Sequence, residues 1–283
     1  MPLPILNPRG QPSNADIVRL FHQTENRWCQ HIAEEEALDV GTAYTNPQLP
    51  GVFDANKITD VALPEGMSAD EAFEQVQAHY AERKVQCHYW TMNPSASERQ
   101  TKPLIEHLVA RGYHADSTNL MLLDRIPPIR VPAFDDVKII PARASFKHTK
   151  LLFDESAKRW GTGEVAEADM LHLDDPHWDA LLALRGGQPV AHVGVLAVGE
   201  VGRIENVYVA EGARRKGLGL LMMIRALEIC ARSVFKHVVL TVAARNTIAA
   251  ALYSKVGFRK IADVTGYFAP NSDPRPKPPT PPI

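Results

Sequence analysis

Cysteine is scarce: among 283 residues only Cys29, Cys87 and Cys230 carry thiols, far apart and without the spacing of metal ligands. So few excludes a disulfide framework and points to a reducing compartment. A dominant charge is missing as well. The 31 Lys and Arg against 33 Asp and Glu leave a formal net charge of −2, which argues against a nucleic-acid coat or a membrane-surface protein. No apolar run is long enough to span a bilayer, and Met1 to Ser13 lacks a charged segment followed by an apolar one. A cytoplasmic protein without nucleic-acid or membrane partners is therefore expected, either a monomer or a homodimer.

What is present is ordinary for a protein with a sizeable core. The chain is 45% hydrophobic and 23% charged, and its length suggests two domains. Ile17, Leu20, Phe21, Trp28 and Ile32 recur at helical spacing, which predicts a helix over Ala15 to Glu35 with Asn14 as its cap and Trp28 in the core. A loop is expected from Gly41 to Gly51. Then come a strand at Ile58 to Leu63, a helix at Ala69 to Arg83, a strand at Val85 to Met92, a helix at Gln100 to Arg111 and a strand at Leu120 to Leu123. Pro127, Pro128 and Pro132 make Ile126 to Phe134 a natural linker, because proline neither donates to a ladder nor continues a helix.

Beyond it, Leu181 to Leu184 and Val190 to Val198 read as a hairpin around Gly186 and Gly187. An apolar strand, Ile204 to Val209, leads through Arg214-Arg215-Lys216-Gly217-Leu218-Gly219 into an apolar helix that ends at Arg232. A strand turning through glycines into a helix gathers unpaired N–H groups at the positive end of the helix dipole, and that is a seat for phosphate. Gly217 and Gly219 would let an anion approach, while Arg214, Arg215 and Lys216 supply countercharge. A strand at His237 to Val242, a helix from Asn246 to Lys255, and Gly257-Phe258 opening a last strand complete the run.

The spacing Arg-x-x-Gly-x-Gly after Val207, Tyr208 and Val209 closely resembles the acetyl-CoA signature of the GNAT acetyltransferases. The order of elements over Asp136 to Phe268 resembles that family from end to end. The resemblance implies an α/β fold, a mixed and mostly antiparallel sheet flanked by helices, with acetyl-CoA as a substrate and no metal. The pyrophosphate would lie on the amides of the loop from Arg214 to Gly219, Leu218 included. It also implies pantetheine contacts at Val207, Val209 and Asn246, an oxyanion donor at the N–H of Val209, and Tyr253 as both cofactor contact and acid for the departing thiolate. Glu205 is the candidate base, with a water relay, Asp154 or Glu155 as alternatives. A strand of strictly alternating faces puts Glu205 and Tyr208 on opposite sides unless a bulge intervenes.

The chain also repeats itself. ITDVALPEG begins at Ile58 and IENVYVAEG at Ile204, an offset of 146 (204 − 58), while Gly112-Tyr113 answers Gly257-Phe258 at 145 (257 − 112). Two copies of one fold are expected: a degenerate GNAT-like domain over 1–130, a catalytic GNAT acetyltransferase domain over 131–269 and a proline-rich tail over 270–283. Opposite Arg214, Lys216, Gly217 and Gly219 the first copy has Ser68, Asp70, Glu71 and Phe73, acid and bulk that repel a pyrophosphate. Leu108 stands opposite Tyr253. The reading is an N-acetyltransferase acting on a small-molecule or peptide primary amine; the alternative is a non-catalytic acyl-CoA-binding or sensor protein of the same fold. Around Lys147 to Gly163, Trp160 and Gly161-Thr162-Gly163 are candidates to line the acceptor site. His172, Asp174, Asp175 and His177 match no familiar zinc pattern.

Overall fold

The computed structural model describes residues 12–129, 133–158, 161–270 and 272. In chain order the elements are α1 (Asn14–Ile32), β1 (Glu34–Leu38), β2 (Gly41–Thr45), β3 (Lys57–Val61), α2 (Ala69–Glu82), β4 (Tyr89–Met92), α3 (Glu98–Ala110), β5 (His114–Leu123), β6 (Val137–Pro141), α4 (Phe146–Ala157), α5 (Glu164–Leu171), β7 (Trp178–Arg185), β8 (Gln188–Val198), β9 (Val201–Val209), α6 (Leu218–Arg232), β10 (His237–Ala243), α7 (Thr247–Lys255) and β11 (Phe258–Phe268). The described residues fall into two compact units. One draws on the chain up to Thr24, on 118–156 and on 169–264; the other on 25–117, 157–168 and the chain from Thr265 on.

In the first unit β6, β7, β8 and β9 form an antiparallel run, β10 pairs parallel to β9, and residues 118–122 of β5 pair antiparallel to β10. One face of this sheet is covered by α6, whose Leu220, Met222, Met223, Ala226 and Leu227 are buried with Val193, Val195, Ile204 and Leu240. Nine residues of α6 are buried, and each large aliphatic among them contributes roughly 1.5–3 kcal/mol, so packing rather than intrinsic propensity holds this helix. Ile17 and Phe21 of α1 pack with Leu120, Val201 and Val239. Phe153 of α4 meets the His192 ring edge-on at 4.8 Å.

In the second unit β1, β2 and β3 are antiparallel neighbours, β3 and β4 are parallel, and Gly266 to Phe268 pair antiparallel to β4. Helices α2 and α3 cover it through Ala72, Phe73, Val76, Tyr80, Leu104 and Leu108, which pack on Ile58, Val61 and Trp90. Phe73 lies flat on Trp90, with centroids 5.9 Å apart and planes at 10°.

The helices, hairpin and strands expected from periodicity are present with shifted ends. Three strands, β1, β2 and β6, and two helices, α4 and α5, were not legible. The first helix stops at Ile32, and β1 and β2 follow where the end of a helix and a loop are expected. The sequence of β1 is EEEAL, and its first four residues are exposed, so no alternating apolar pattern betrays it; acidic side chains suit a strand that pairs on one side only. Asn14 does not cap α1. Ser13 does, its Oγ accepting from Asp16 N–H at 3.2 Å, while Asn14 donates from Nδ2 to Ile261 O at 3.0 Å. Trp28 is buried. Trp160 and the proline-rich tail, apart from Pro270 and Ser272, lie outside the described residues.

All three cysteines are free and buried, and burial pushes their thiols up to about 12. Since the thiolate is the reactive form, none should react with an aromatic disulfide reagent at pH 8 in the native protein. All three should do so in denaturant, a result read directly from absorbance.

Candidate functional site

The signature strand is irregular where the chemistry is expected. Along β8 and β9, His192 faces Tyr208 and Gly194 faces Glu205, so two steps on β8 match three on β9. The additional residue is Asn206, which stands at φ +53°. Asparagine tolerates this left-handed backbone better than most residues, and Asp169 Oδ1 accepts from its Nδ2 at 2.9 Å. The consequence is a change of face. Cross-strand partners share a face, as do His192 and Gly194 two apart, so the bulge places Glu205 and Tyr208 on the same side. The side chains of Val207 and Val209 pack on the other side, against the core under α6.

Past the bulge β9 and β10 are no longer paired. Among the described residues their pairing is confined to Val201, Gly202 and Arg203 opposite His237, Val238 and Val239. Ala210 N–H donates to Val190 O at 2.9 Å. Because N–H groups alternate between the two edges of an antiparallel strand, Val209 N–H faces the opposite edge, the side on which β10 has parted from β9.

The loop before α6 is shaped for an anion. Gly217 is the N-cap at φ +83°, and no side chain caps the helix. The first helical bond runs from Leu221 N–H to Gly217 O at 3.1 Å, so the amides of Leu218, Gly219 and Leu220 precede it, at the positive end of the dipole. Leu218 itself is buried by its side chain. The missing Cβ of Gly219 faces inward: one there would lie 3.2 Å from Leu252 Cδ2 and 3.8 Å from Val209 Cγ2. Gly219 thus seats α6 against α7 and the end of β9, a packing role the sequence does not disclose. Arg215 and Lys216 are exposed, and Lys216 Nζ donates to Gly212 O at 3.0 Å. Arg214, expected as countercharge, instead ties the loop to the strand. Its Nε donates to Val209 O at 3.1 Å and its guanidinium lies 5.7 Å from the centroid of Tyr208.

On α7, Asn246 caps the helix, its Oδ1 accepting from Ala249 N–H at 3.2 Å. Tyr253 is buried in the core cluster that also holds Met223, Val256 and Phe258. Glu205 is bound by its strand neighbour: Oε2 accepts from Arg203 Nε at 2.7 Å and from Nη2 at 2.6 Å, and Arg203, itself buried, lies over Phe21 at 5.1 Å. Asp154 is turned to Lys150, at 2.7 and 2.9 Å. Glu155 is turned to β9, where its Oε1 accepts from Tyr208 Oη at 3.0 Å and from Glu211 N–H at 2.9 Å. His192, absent from the sequence-based candidates, stacks on Tyr208 at 5.7 Å. Its only signal is being the one polar residue in the run VAHVGV.

The His172 to His177 cluster is a folded turn. Asp175, fully buried, accepts on Oδ1 from His177 N–H at 2.9 Å, and Arg143 donates to Trp178 O at 2.6 Å. Among the described residues no group of three or more His, Cys, Asp or Glu is arranged to hold a metal ion, and no helix is long and apolar enough to cross a membrane.

The corresponding corner of the second unit is closed. β3 carries its own irregularity, with Asp60 at φ +55°, 146 positions (206 − 60) before Asn206. There the parallel neighbours stay together past the bulge: Val61 faces Met92, and Asn93 N–H donates to Val61 O at 2.9 Å. The start of α2 is filled by a capping box in which Ser68 Oγ accepts from Glu71 N–H at 3.2 Å and Glu71 Oε2 accepts from Ser68 N–H at 2.9 Å. Asp70 pairs with Arg111 at 2.7 Å. Phe73 points into the core instead of into this corner.

Comparison with known proteins bears on the family and the fold. Residues 147–258 match the acetyltransferase (GNAT) family. Among solved structures, a GCN5-related N-acetyltransferase from Kribbella flavida is similar with a TM-score of 0.62 at 17% identity, over 90% of this chain and 96% of that one. A tandem GNAT protein from the clavulanic acid biosynthesis pathway is similar with a TM-score of 0.53 at 16% identity, over 93% of this chain and 90% of that one. A functionally unknown conserved protein from Staphylococcus epidermidis gives 0.54 at 13% identity, over 83% and 93%. No curated protein matches.

The bulge is open to a direct test. A β-branched residue at φ near +53° is strained, on the order of 1–3 kcal/mol, whereas glycine is not. Asn206→Val and Asn206→Gly both lose the bond to Asp169, so urea denaturation should find the valine variant less stable than the glycine variant by about that amount. Equal stabilities would mean that the left-handed backbone at this position imposes no constraint.

Proposed function

We propose, for a chain whose residues 147–258 match the acetyltransferase (GNAT) family, that the protein transfers the acetyl group of acetyl-CoA to a primary amine by direct attack. The observation that carries this reading is the uncapped start of α6 beside the parted strands β9 and β10. The diphosphate takes the amides of Leu218, Gly219 and Leu220, with Arg215 and Lys216 as countercharge, and the pantetheine arm follows the opening past Val207 and Val209 toward Asn246. Val209 N–H then meets the thioester oxygen and stabilises the oxyanion that forms on attack. Tyr253 protonates the departing thiolate. The acceptor comes from the opposite side of the strand, the face on which the bulge gathers Tyr208, Glu205 and Glu155.

The second unit offers no such seat in this reading. A carboxylate already occupies the start of α2, and a second anion there would meet repulsion where α6 presents bare amides. It is a copy of the fold without cofactor binding.

Isothermal calorimetry tests the cofactor seat. Acetyl-CoA should bind the wild type with micromolar affinity, about −8 kcal/mol. An Arg215→Glu/Lys216→Glu variant, altered only at exposed side chains, should bind at least about tenfold more weakly, which is roughly 1.4 kcal/mol. Equal binding by both would remove the loop from the cofactor site. Tyr253→Phe should lower turnover by about 100-fold with the acetyl-CoA affinity kept, as expected for loss of a general acid. Unchanged turnover would take Tyr253 out of the mechanism.

A further inference from the structure

Two carboxylates on the acceptor face could take the proton of the incoming amine, and the structure treats them differently. Glu205 is held at Oε2 by both Nε and Nη2 of Arg203. Its charge is already matched, and its geometry is locked to a cation that is itself buried against Phe21. Glu155 has neutral partners. Among the described residues its hydrogen bonds, from Tyr208 Oη and from Glu211 N–H, fall on Oε1, and Oε2 is the oxygen to which a further donor would go. Those two bonds also fix where it is. Tyr208 and Glu211 flank Val209, whose N–H faces the parted strands, so Glu155 is pinned to the segment of β9 at which the thioester would be polarised.

We propose that Glu155 binds the ammonium group of the acceptor and acts as the general base, that Tyr208 is the residue which positions it, and that Glu205 serves to hold Arg203. This rests on the acyl-transfer reading above. The ammonium donates to Oε2 and gives up one proton to it; the nitrogen lone pair attacks the thioester carbon, and the N–C bond forms as the carbonyl opens to an oxyanion. On collapse the C–S bond breaks and sulfur takes a proton from Tyr253. The proton left on nitrogen reprotonates Tyr253, and Glu155 releases its own to water. Among the described residues the titratable or charged groups near Glu155 include Tyr208, with His192 and Arg214 against its ring, Glu211 at the strand exit, and the Lys150–Asp154 pair on its own helix.

The test is release of free thiol from acetyl-CoA with n-butylamine, cadaverine, spermidine and lysine ethyl ester, between pH 6 and 10, on the full-length wild type and on Glu155→Gln, Glu205→Gln and Tyr208→Phe. Glutamine keeps an oxygen acceptor for Tyr208 and Glu211 and removes only the charge. Glu155→Gln should lose at least about 100-fold in kcat/KM for the amine, while binding acetyl-CoA within twofold of wild type by calorimetry. Tyr208→Phe should lose less, about tenfold, with the fall in kcat larger than any rise in KM. Glu205→Gln should stay within fivefold. A Glu155→Gln enzyme that keeps a third or more of the wild-type kcat/KM overturns the proposal alone, as does a loss of about 100-fold in Glu205→Gln instead. If Glu155→Gln fails to fold, an unchanged kcat in Tyr208→Phe overturns it. A wild type that binds acetyl-CoA but acylates none of the four amines overturns the enzyme reading and this one with it.

Discussion

One left-handed residue in one strand organises the site. Asn206 adds a step to β9 that β8 does not have, and the pleat turns that single step into an exchange of faces for every side chain beyond it. Without it Tyr208 would point into the apolar core under α6, apart from Glu155 and His192. With it, the polar groups gather on one face, while Val207 and Val209 face the core and the main chain of Val209 is presented along the edge. The same irregularity coincides with the place where β9 and β10 cease to pair. A backbone distortion therefore underlies both features on which the proposed acyl transfer rests: the main chain of Val209 along an unpaired edge, and polar side chains gathered on one face.

The two units show how little must change to close such a place. Each has a bulge at the corresponding residue, Asp60 and Asn206, and each has a helix starting shortly after it. In one, Val61 and Asn93 continue the ladder, and Ser68 with Glu71 satisfies the helix start from within the chain. In the other, the ladder among the described residues stops at Arg203 and the helix begins on glycine, which has no side chain to cap it. Backbone donors that are already satisfied have nothing to offer a ligand. Capping stabilises a helix by about 1 kcal/mol, and its absence at α6 is tolerated because the helix is anchored by buried apolar side chains over most of its length.

Legibility in the sequence followed the nature of the signal. Arg214 to Gly219 could be found because glycine spacing and helix periodicity are local, and the offset between Ile58 and Ile204 could be found because it is plain self-similarity. The uses of those residues were less legible. Arg214 reads as countercharge and is engaged with Val209 O and the Tyr208 ring, while Gly219, read as clearance for a ligand, also gives clearance to Leu252. Phe73 reads as a plug and is a core aromatic. In each case the composition of the segment was informative and the direction of the side chain was not, because direction is set by packing against neighbours in other elements of the fold.

The amino-acid sequence by itself determined most of the helices and strands, though not β1, β2, β6, α4 or α5, together with the self-similarity at Ile58 and Ile204, the apolar character of α6 and the glycine-rich entry to it, since these are written in spacing along the chain. Only the tertiary structure decided that Glu205 is tied to Arg203, that Glu155 reaches Tyr208, and that residues 118–122 pair with β10 while Gly266 to Phe268 pair with β4. The physical reason is that a hydrogen bond or ion pair is settled by which groups the folded chain brings within about 3 Å, and a one-residue bulge, too small to leave a mark in periodicity, reverses which groups those are.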